Sequence, residues 1–387
     1  MAIVAAWGIM RTTLVSSPRI PAAATLAADA PPVTFGLVDQ RYASFGAVVP
    51  PAVDAALGAA FVNEPLAGDP FLYRARQRVE AGDRAGAIGL LEEARRRSPR
   101  SRPVRMMLIE QYLRAENIAA ATVEIGVLSK LTPVARDHLS RAVSQLMLDK
   151  EVRPAVVRAL AADPIYDSIL AELARTGADA DLIVDLARQQ VQSDQPREGR
   201  GIWRIALIDR LVDERQYRKA RQLWGTFFNV PDDAGGNAVY DGRFAGRPGS
   251  RPFNWQLTTN QTGAAERSRR GGLDVDYFGR TSGPLARQLL LLSPGQYRLT
   301  FRADGNANAQ GSRLVWQVMC DGASSTLSET VLDRVEAAPR AFAANFTVPA
   351  QNCVAQWLSL EGMAAEFPTT QSAHIDNVEI RSSGSAR

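Results

Sequence analysis

Residues 223–236, LWGTFFNVPDDAGG, mark the place where the hydrophobic period of this chain changes. Upstream, apolar residues recur at i, i+3 and i+4, the spacing of a buried helix face; downstream they alternate in short runs between Gly, Pro and Asn, the spacing of strands. The chain therefore divides into a helical half over 35–230 and a β-rich half over 231–387, preceded by an apolar stretch over 1–34.

Immediately upstream of the break, Ile205, Ile208 and Leu211 lie on one face, Glu214-Arg215 supplies a turn, and Tyr217, Ala220 and Leu223 continue on a second helix. Farther back the pattern repeats: Ala87, Leu91, Ala94 and Pro99 return 34 places later as Ala121, Ile125, Leu128 and Pro133. Each unit is a helical hairpin. Pro70 starts the first pair, Gly82-Asp83 turns it and Pro99 ends it; the second runs from Val104 through the turn Glu116-Asn117 to Pro133. Ala87 and Ala121 occupy the helix crossing, where only a small side chain lets two backbones approach. A third unit over 139–164 keeps Ala155 in the same phase, and a short helix is expected over 53–61.

Downstream of the linker 231–236, strands are expected over 253–257, 273–278, 286–292, 295–303, 313–320, 342–348, 354–361 and 374–380, spaced as in an antiparallel sandwich. In one of them Tyr297, Leu299 and Phe301 face one way while Arg298, Thr300 and Arg302 face the other.

The chain has 387 residues and 46% hydrophobic content, enough for two separate cores. Net charge is only +4 from 45 basic and 41 acidic side chains. No whole-molecule field points to nucleic acid, and the runs Arg95-Arg96-Arg97 and Arg267 to Arg270 read as a solvated helix end and a polar loop. The only two cysteines, Cys320 and Cys353, both lie in the β-rich half and are expected to form one disulfide. A crosslink closing a loop of roughly 30 residues stabilises by about 3 to 4 kcal/mol and favours an oxidising compartment; two buried thiols are the alternative. Zinc is poorly served by two Cys and the distant His138 and His374.

MAIVAAWGIM at residues 1–10 is too short to span a bilayer, and residues 12–32 are rich in Ala, Pro, Ser and Thr, with Ala28 and Ala30 spaced like a cleavage site. The expectation is a truncated signal or membrane anchor whose true start lies upstream, hence a periplasmic or inner-membrane-anchored protein facing the periplasm. A cytoplasmic protein with an apolar tail is the alternative.

The 34-residue period resembles the tetratricopeptide-repeat family over about residues 70–228, most closely in the units ending at Pro99 and Pro133. Arg74 and Arg78 stand where that family has apolar and aromatic residues. The resemblance implies an α-solenoid whose concave surface takes a protein or peptide partner.

The order Phe244, Phe253-Asn254-Trp255, Leu292-Ser293-Pro294-Gly295-Gln296-Tyr297, Phe346-Thr347-Val348-Pro349 and Ile375-Asp376-Asn377-Val378 resembles the jelly-roll, galactose-binding-like carbohydrate-binding modules, over about residues 237–381. It implies a polysaccharide ligand. Sugar binding needs open aromatic rings flanked by planar polar groups, and the residues offered are Trp255, Tyr277, Trp316 and Trp357 with Arg298, Arg302, Gln317 and Asn254. The same resemblance implies a structural calcium held by Asp241 and Asp376, although Ala245 stands where an acidic residue is usual. No other cofactor is expected.

Asp274 and Asp276 share one strand face about 7 Å apart, which is imaginable for a glycosidase pair, but nothing separates their acidities. No G-x-S-x-G, H-E-x-x-H, phosphate-loop or dinucleotide fingerprint occurs. The sequence therefore leads us to expect a non-catalytic cell-envelope protein: helical repeats on a protein partner, sandwich on a polysaccharide such as an exopolysaccharide, in surface glycan assembly or export. The alternative is a scaffold whose sandwich binds protein.

Overall fold

The computed structural model describes residues 58, 62, 66–190, 201–230, 236–308, 310–322 and 326–383. The apolar stretch 1–34, most of the helix expected over 53–61 and most of the linker 231–236 lie outside the described residues. Ten α-helices precede the sheets among the described residues: α1 (Asp69–Glu80), α2 (Arg84–Arg97), α3 (Arg102–Arg114), α4 (Ile118–Leu131), α5 (Arg136–Leu148), α6 (Arg153–Leu160), α7 (Ile165–Arg175), α8 (Ala180–Arg188), α9 (Ile202–Asp213) and α10 (Tyr217–Phe228).

Local chemistry sets the hairpins. The Asp83 carboxylate caps α2 by accepting the Gly86 N–H at 2.9 Å, and Asn117 caps α4 through the Ala120 N–H at 3.1 Å. Pro70, Pro103 and Pro154 sit in first turns, where a missing N–H leaves no hydrogen bond unmade. Ala87 and Ala121 are fully buried. Ala155 is not; Val156, Val157 and Leu160 take the buried positions of α6, because the shortened third unit rotates its face by one residue. Helices α7 and α8, absent from the sequence reading, bury Ile165, Tyr166, Ile169, Leu170 and Ile183 completely.

The first three hairpin helices that follow α1 are cross-braced by charge. Glu124 on α4 is 1% exposed and accepts from the guanidinium groups of both Arg95 on α2 and Arg105 on α3. Arg105 also donates twice to the Pro99 carbonyl, at 3.0 and 2.7 Å, so no part of this buried cluster is left without a partner.

The described residues form two compact units. One holds α1 to α6, α7 through Leu173 and α8 from Asp181; the other holds 174–180, α9, α10 and all the strands.

The strands are β1 (Gln256–Leu257), β2 (Gly263–Arg267), β3 (Leu273–Tyr277), β4 (Gly283–Leu290), β5 (Gly295–Asn306), β6 (Arg313–Cys320), β7 (Thr326–Val331), β8 (Arg340–Val348), β9 (Gln356–Met363) and β10 (Gln371–Ser382). They build two five-stranded antiparallel sheets, β1-β4-β9-β6-β7 and β2-β3-β10-β5-β8. A helical array followed by a β-sandwich is thus the observed architecture. β2 and β7 were not legible in the sequence: one is mostly Gly and Ala, the other mostly polar, and both lie at sheet edges.

Between the sheets, Trp255 stacks on Phe244 at 4.7 Å and meets Trp316 edge-on at 5.8 Å, while Phe301 stacks on Phe342 at 4.9 Å. Cys320 and Cys353 are joined, with Cα atoms 5.0 Å apart. Two buried amides fasten irregular segments to the first sheet. Gln288 exchanges two hydrogen bonds with the Tyr240 backbone, and Gln356 accepts the Leu292 N–H at 2.8 Å while donating to the Cys353 carbonyl at 2.7 Å.

The hairpin α9–α10 belongs to this unit by its side chains. Trp224 packs edge-on against Tyr240 and Phe253 and donates its indole N–H to the Ser250 carbonyl at 2.8 Å. Gly249 is required beneath it, since a Cβ there would stand 2.4 Å from the Trp224 ring.

Candidate functional site

Three of the four rings offered by the sequence fill the core. Trp316 is 0% exposed, Tyr277 1% and Trp255 5%, so none has an open face for a sugar. The correction follows from register: Trp316 and Tyr277 occupy inward positions of β6 and β3, and Trp255 lies in the loop that closes over Trp316. Gly362 is tied to that packing, because a Cβ on it would meet the Tyr277 ring at 2.4 Å. Asn254 is buried as well; it donates to the Arg247 and Gly249 carbonyls and accepts from the Trp255 N–H.

The fourth ring is different. Trp357 points away from the core on β9, half-buried, with the Arg287 guanidinium 4.8 Å above its ring and its indole N–H on Asp321 at 3.0 Å. Beside it a polar row crosses the first sheet: Gln256, Arg287, Ser359, Gln317 and Glu329 are consecutive cross-strand partners on β1, β4, β9, β6 and β7. Four strand spacings make the row about 19 Å long.

The row is internally ordered. Arg287 donates to Gln256 at 2.9 Å, Gln317 donates to Glu329 at 3.3 Å, and the Ser359 hydroxyl donates to Glu361 in the next row. Burial pushes the Glu361 carboxyl above its ordinary value, opposed by the Ser359 hydroxyl and the Arg287 charge. Planar donors and acceptors beside a held aromatic ring form a surface suited to hydroxyl-rich ligands. Of this set only Trp357 and Gln317 were legible; the rest needed the pairing of strands far apart in sequence.

Arg298 and Arg302 lie elsewhere, exposed on the outward face of the second sheet with Asn345 and Arg381 beside Arg298. Asp274 and Asp276 face outward on β3 in the same sheet. Asp274 meets His374 Nδ1 at 2.7 Å. Partial burial works to raise its pKa, but hydrogen bonds from Ser268 and His374 and the charges of His374 and Arg270 outweigh it and leave the carboxyl below its usual range. The carboxylate stands between the hydroxyl and the imidazole. An acyl-transfer triad needs the imidazole between the other two.

The residues implied for calcium do not fit a cation. The Asp241 carboxylate accepts the backbone N–H groups of Ala245, Gly246 and Arg247 at 2.8, 3.0 and 3.3 Å, with the Arg267 guanidinium 3.8 Å away. Its oxygens are thus ringed by positive donors. Asp376 accepts the N–H of Asn377 at 2.7 Å, and among the described residues no group of three or more His, Cys, Asp or Glu is placed to hold a metal.

No family model matches the chain, and no curated protein matches it. Solved structures similar to it include a CBM4 carbohydrate-binding module, 13% identical, TM-score 0.29, covering 37% of this chain and 99% of that one. Another is the C-terminal family 22 carbohydrate-binding module of Clostridium thermocellum Xyn10B, at 16% identity and TM-score 0.28, covering 40% and 100%. A third is TmCBM61 in complex with β-1,4-galactotriose, at 12% identity and TM-score 0.26, covering 40% and 99%. Likenesses this distant name no ligand for this chain.

Proposed function

We propose that this is a non-catalytic glycan-binding protein of a cell envelope, whose sandwich holds a polysaccharide along the outward face of its first sheet. The observation that carries the reading is the polar row Gln256–Arg287–Ser359–Gln317–Glu329 with Trp357 beside it. Amide, guanidinium and carboxylate planes pair with sugar hydroxyls, and the indole edge supplies apolar contact. The disulfide supports an oxidising compartment such as the periplasm. The helical hairpins, read as tetratricopeptide-like, would dock a protein partner and so bring the glycan to an assembly or export machine.

The test is a panel of immobilised neutral and acidic polysaccharides against the full chain. Retention by at least one, weakened about tenfold in Trp357→Ala and in Gln317→Ala, is the expected result. Failure of every polysaccharide to retain the folded protein sinks the reading.

A further inference from the structure

We infer that a second site, on the outward face of the opposite sheet around Arg298, takes the carboxylate of an acidic saccharide. It is separate from the polar row beside Trp357. Arg381 on β10 and Asn345 on β8 are the direct cross-strand partners of Arg298 on β5; in the next row Gln296 stands opposite Thr347, and Arg302 lies four residues along the same strand. All of these but Arg302, together with Tyr297, Phe346, Ser382 and Ser383, line a concavity of about 630 Å³, within the range of small-ligand sites, and Arg302 stands outside that lining.

Charge distribution singles out this end of the sheet. Farther along the face Asp274 has His374 and Asp304 has Arg270 at 3.4 Å. Arg381 is held by Glu379 at 2.9 Å. Arg298 and Arg302 make no ion pair or side-chain hydrogen bond among the described residues, although Arg302 stands opposite Asp376, whose carboxylate turns to the Asn377 N–H instead. Two arginines directly opposite each other across a strand pair oppose folding, and an oxyanion seated between them removes that opposition. The guanidinium fork matches a carboxylate with two parallel hydrogen bonds. The neutral amides and hydroxyls of Gln296, Asn345, Thr347 and Ser383 are the partners a sugar ring requires and a bare ion does not.

Isothermal titration of the full chain at low salt, with galacturonate oligomers, neutral galactose oligomers, a sulfated oligosaccharide and inorganic phosphate as separate arms, tests the site. Galacturonate is expected to bind, about tenfold or more weakly to Arg298→Ala, with Arg298→Lys between the two because charge remains while the fork is lost. The neutral galactose arm carries no carboxylate and reports on the polar row alone, so failure here and failure of the polar-row reading are distinguishable. Both arginine variants are surface changes, and melting temperatures no lower than that of the wild type establish that they fold. Absence of galacturonate binding, or equal affinity in wild type and Arg298→Ala, overturns the proposal. Binding of phosphate or of the sulfated sugar as tightly as galacturonate overturns its carboxylate assignment.

Discussion

Tyr217 donates its phenolic hydrogen to Asp321 at 2.6 Å, and the other oxygen of that carboxylate takes the indole N–H of Trp357 at 3.0 Å. One half-buried carboxylate thus ties α10 to the tryptophan that borders the polar row. Tyr217→Phe removes a hydrogen bond to a charged acceptor and should lower stability by about 1.5 to 3 kcal/mol. Chemical denaturation measures it, and an unchanged midpoint would show that the contact contributes nothing.

The disulfide closes a 33-residue span between β6 and the segment before β9, and both sulfur-bearing residues are buried. Reduction, or the Cys320→Ser/Cys353→Ser pair, should cost about 3 to 4 kcal/mol through the freedom regained by the unfolded chain. Denaturation with and without reductant gives the difference; equal curves would contradict it.

Trp316 and Trp357 should separate stability from binding. Trp316→Ala empties a fully buried site and is expected to cost about 3 to 5 kcal/mol. Trp357→Ala leaves the core intact, so its melting shift should be clearly smaller while glycan retention falls. The reverse order of melting shifts would mean that Trp357, not Trp316, is the core residue.

In the helical unit, Glu124→Gln leaves the 8%-exposed Arg105 without its carboxylate and should cost about 3 to 5 kcal/mol. Arg95→Ala should cost less, because the Arg95 side chain is 33% exposed and water replaces it. Urea titration of the two variants ranks them.

Glu361 predicts a pH dependence. Burial raises its pKa above the ordinary 4.5 in the folded protein, so the fold holds the proton more tightly than the unfolded chain does. Its contribution is present in full below pH 4.5 and declines as pH rises through the raised value. Glu361→Gln should therefore flatten the melting temperature in the window just above pH 4.5. An identical profile in both proteins would rule this out.

Much of the architecture was legible because periodicity is local. The repeat of Ala87 at Ala121 placed the crossing residues of two hairpins, and the alternation from Tyr297 to Arg302 assigned both faces of β5 correctly. The phase of Ala155 failed because a shortened unit shifts the buried face by one position, which spacing alone does not register. β2 and β7 were not legible because their own residues, GAAER and TLSETV, include few large apolar side chains.

What the sequence determined by itself was the division into helical and β-rich halves, the outward set of Arg298 and Arg302, and the single crosslink available to two cysteines. Tertiary structure decided everything that depends on partners distant along the chain. It buried Trp255, Tyr277 and Trp316 between the sheets and left Trp357 at the surface, joined α9 and α10 to the sandwich, and aligned Gln256, Arg287, Ser359, Gln317 and Glu329 from five strands into one row. The reason is physical: a strand's own sequence says which side chains share a face, while the facing sheet and cross-strand register say whether that face meets protein or water.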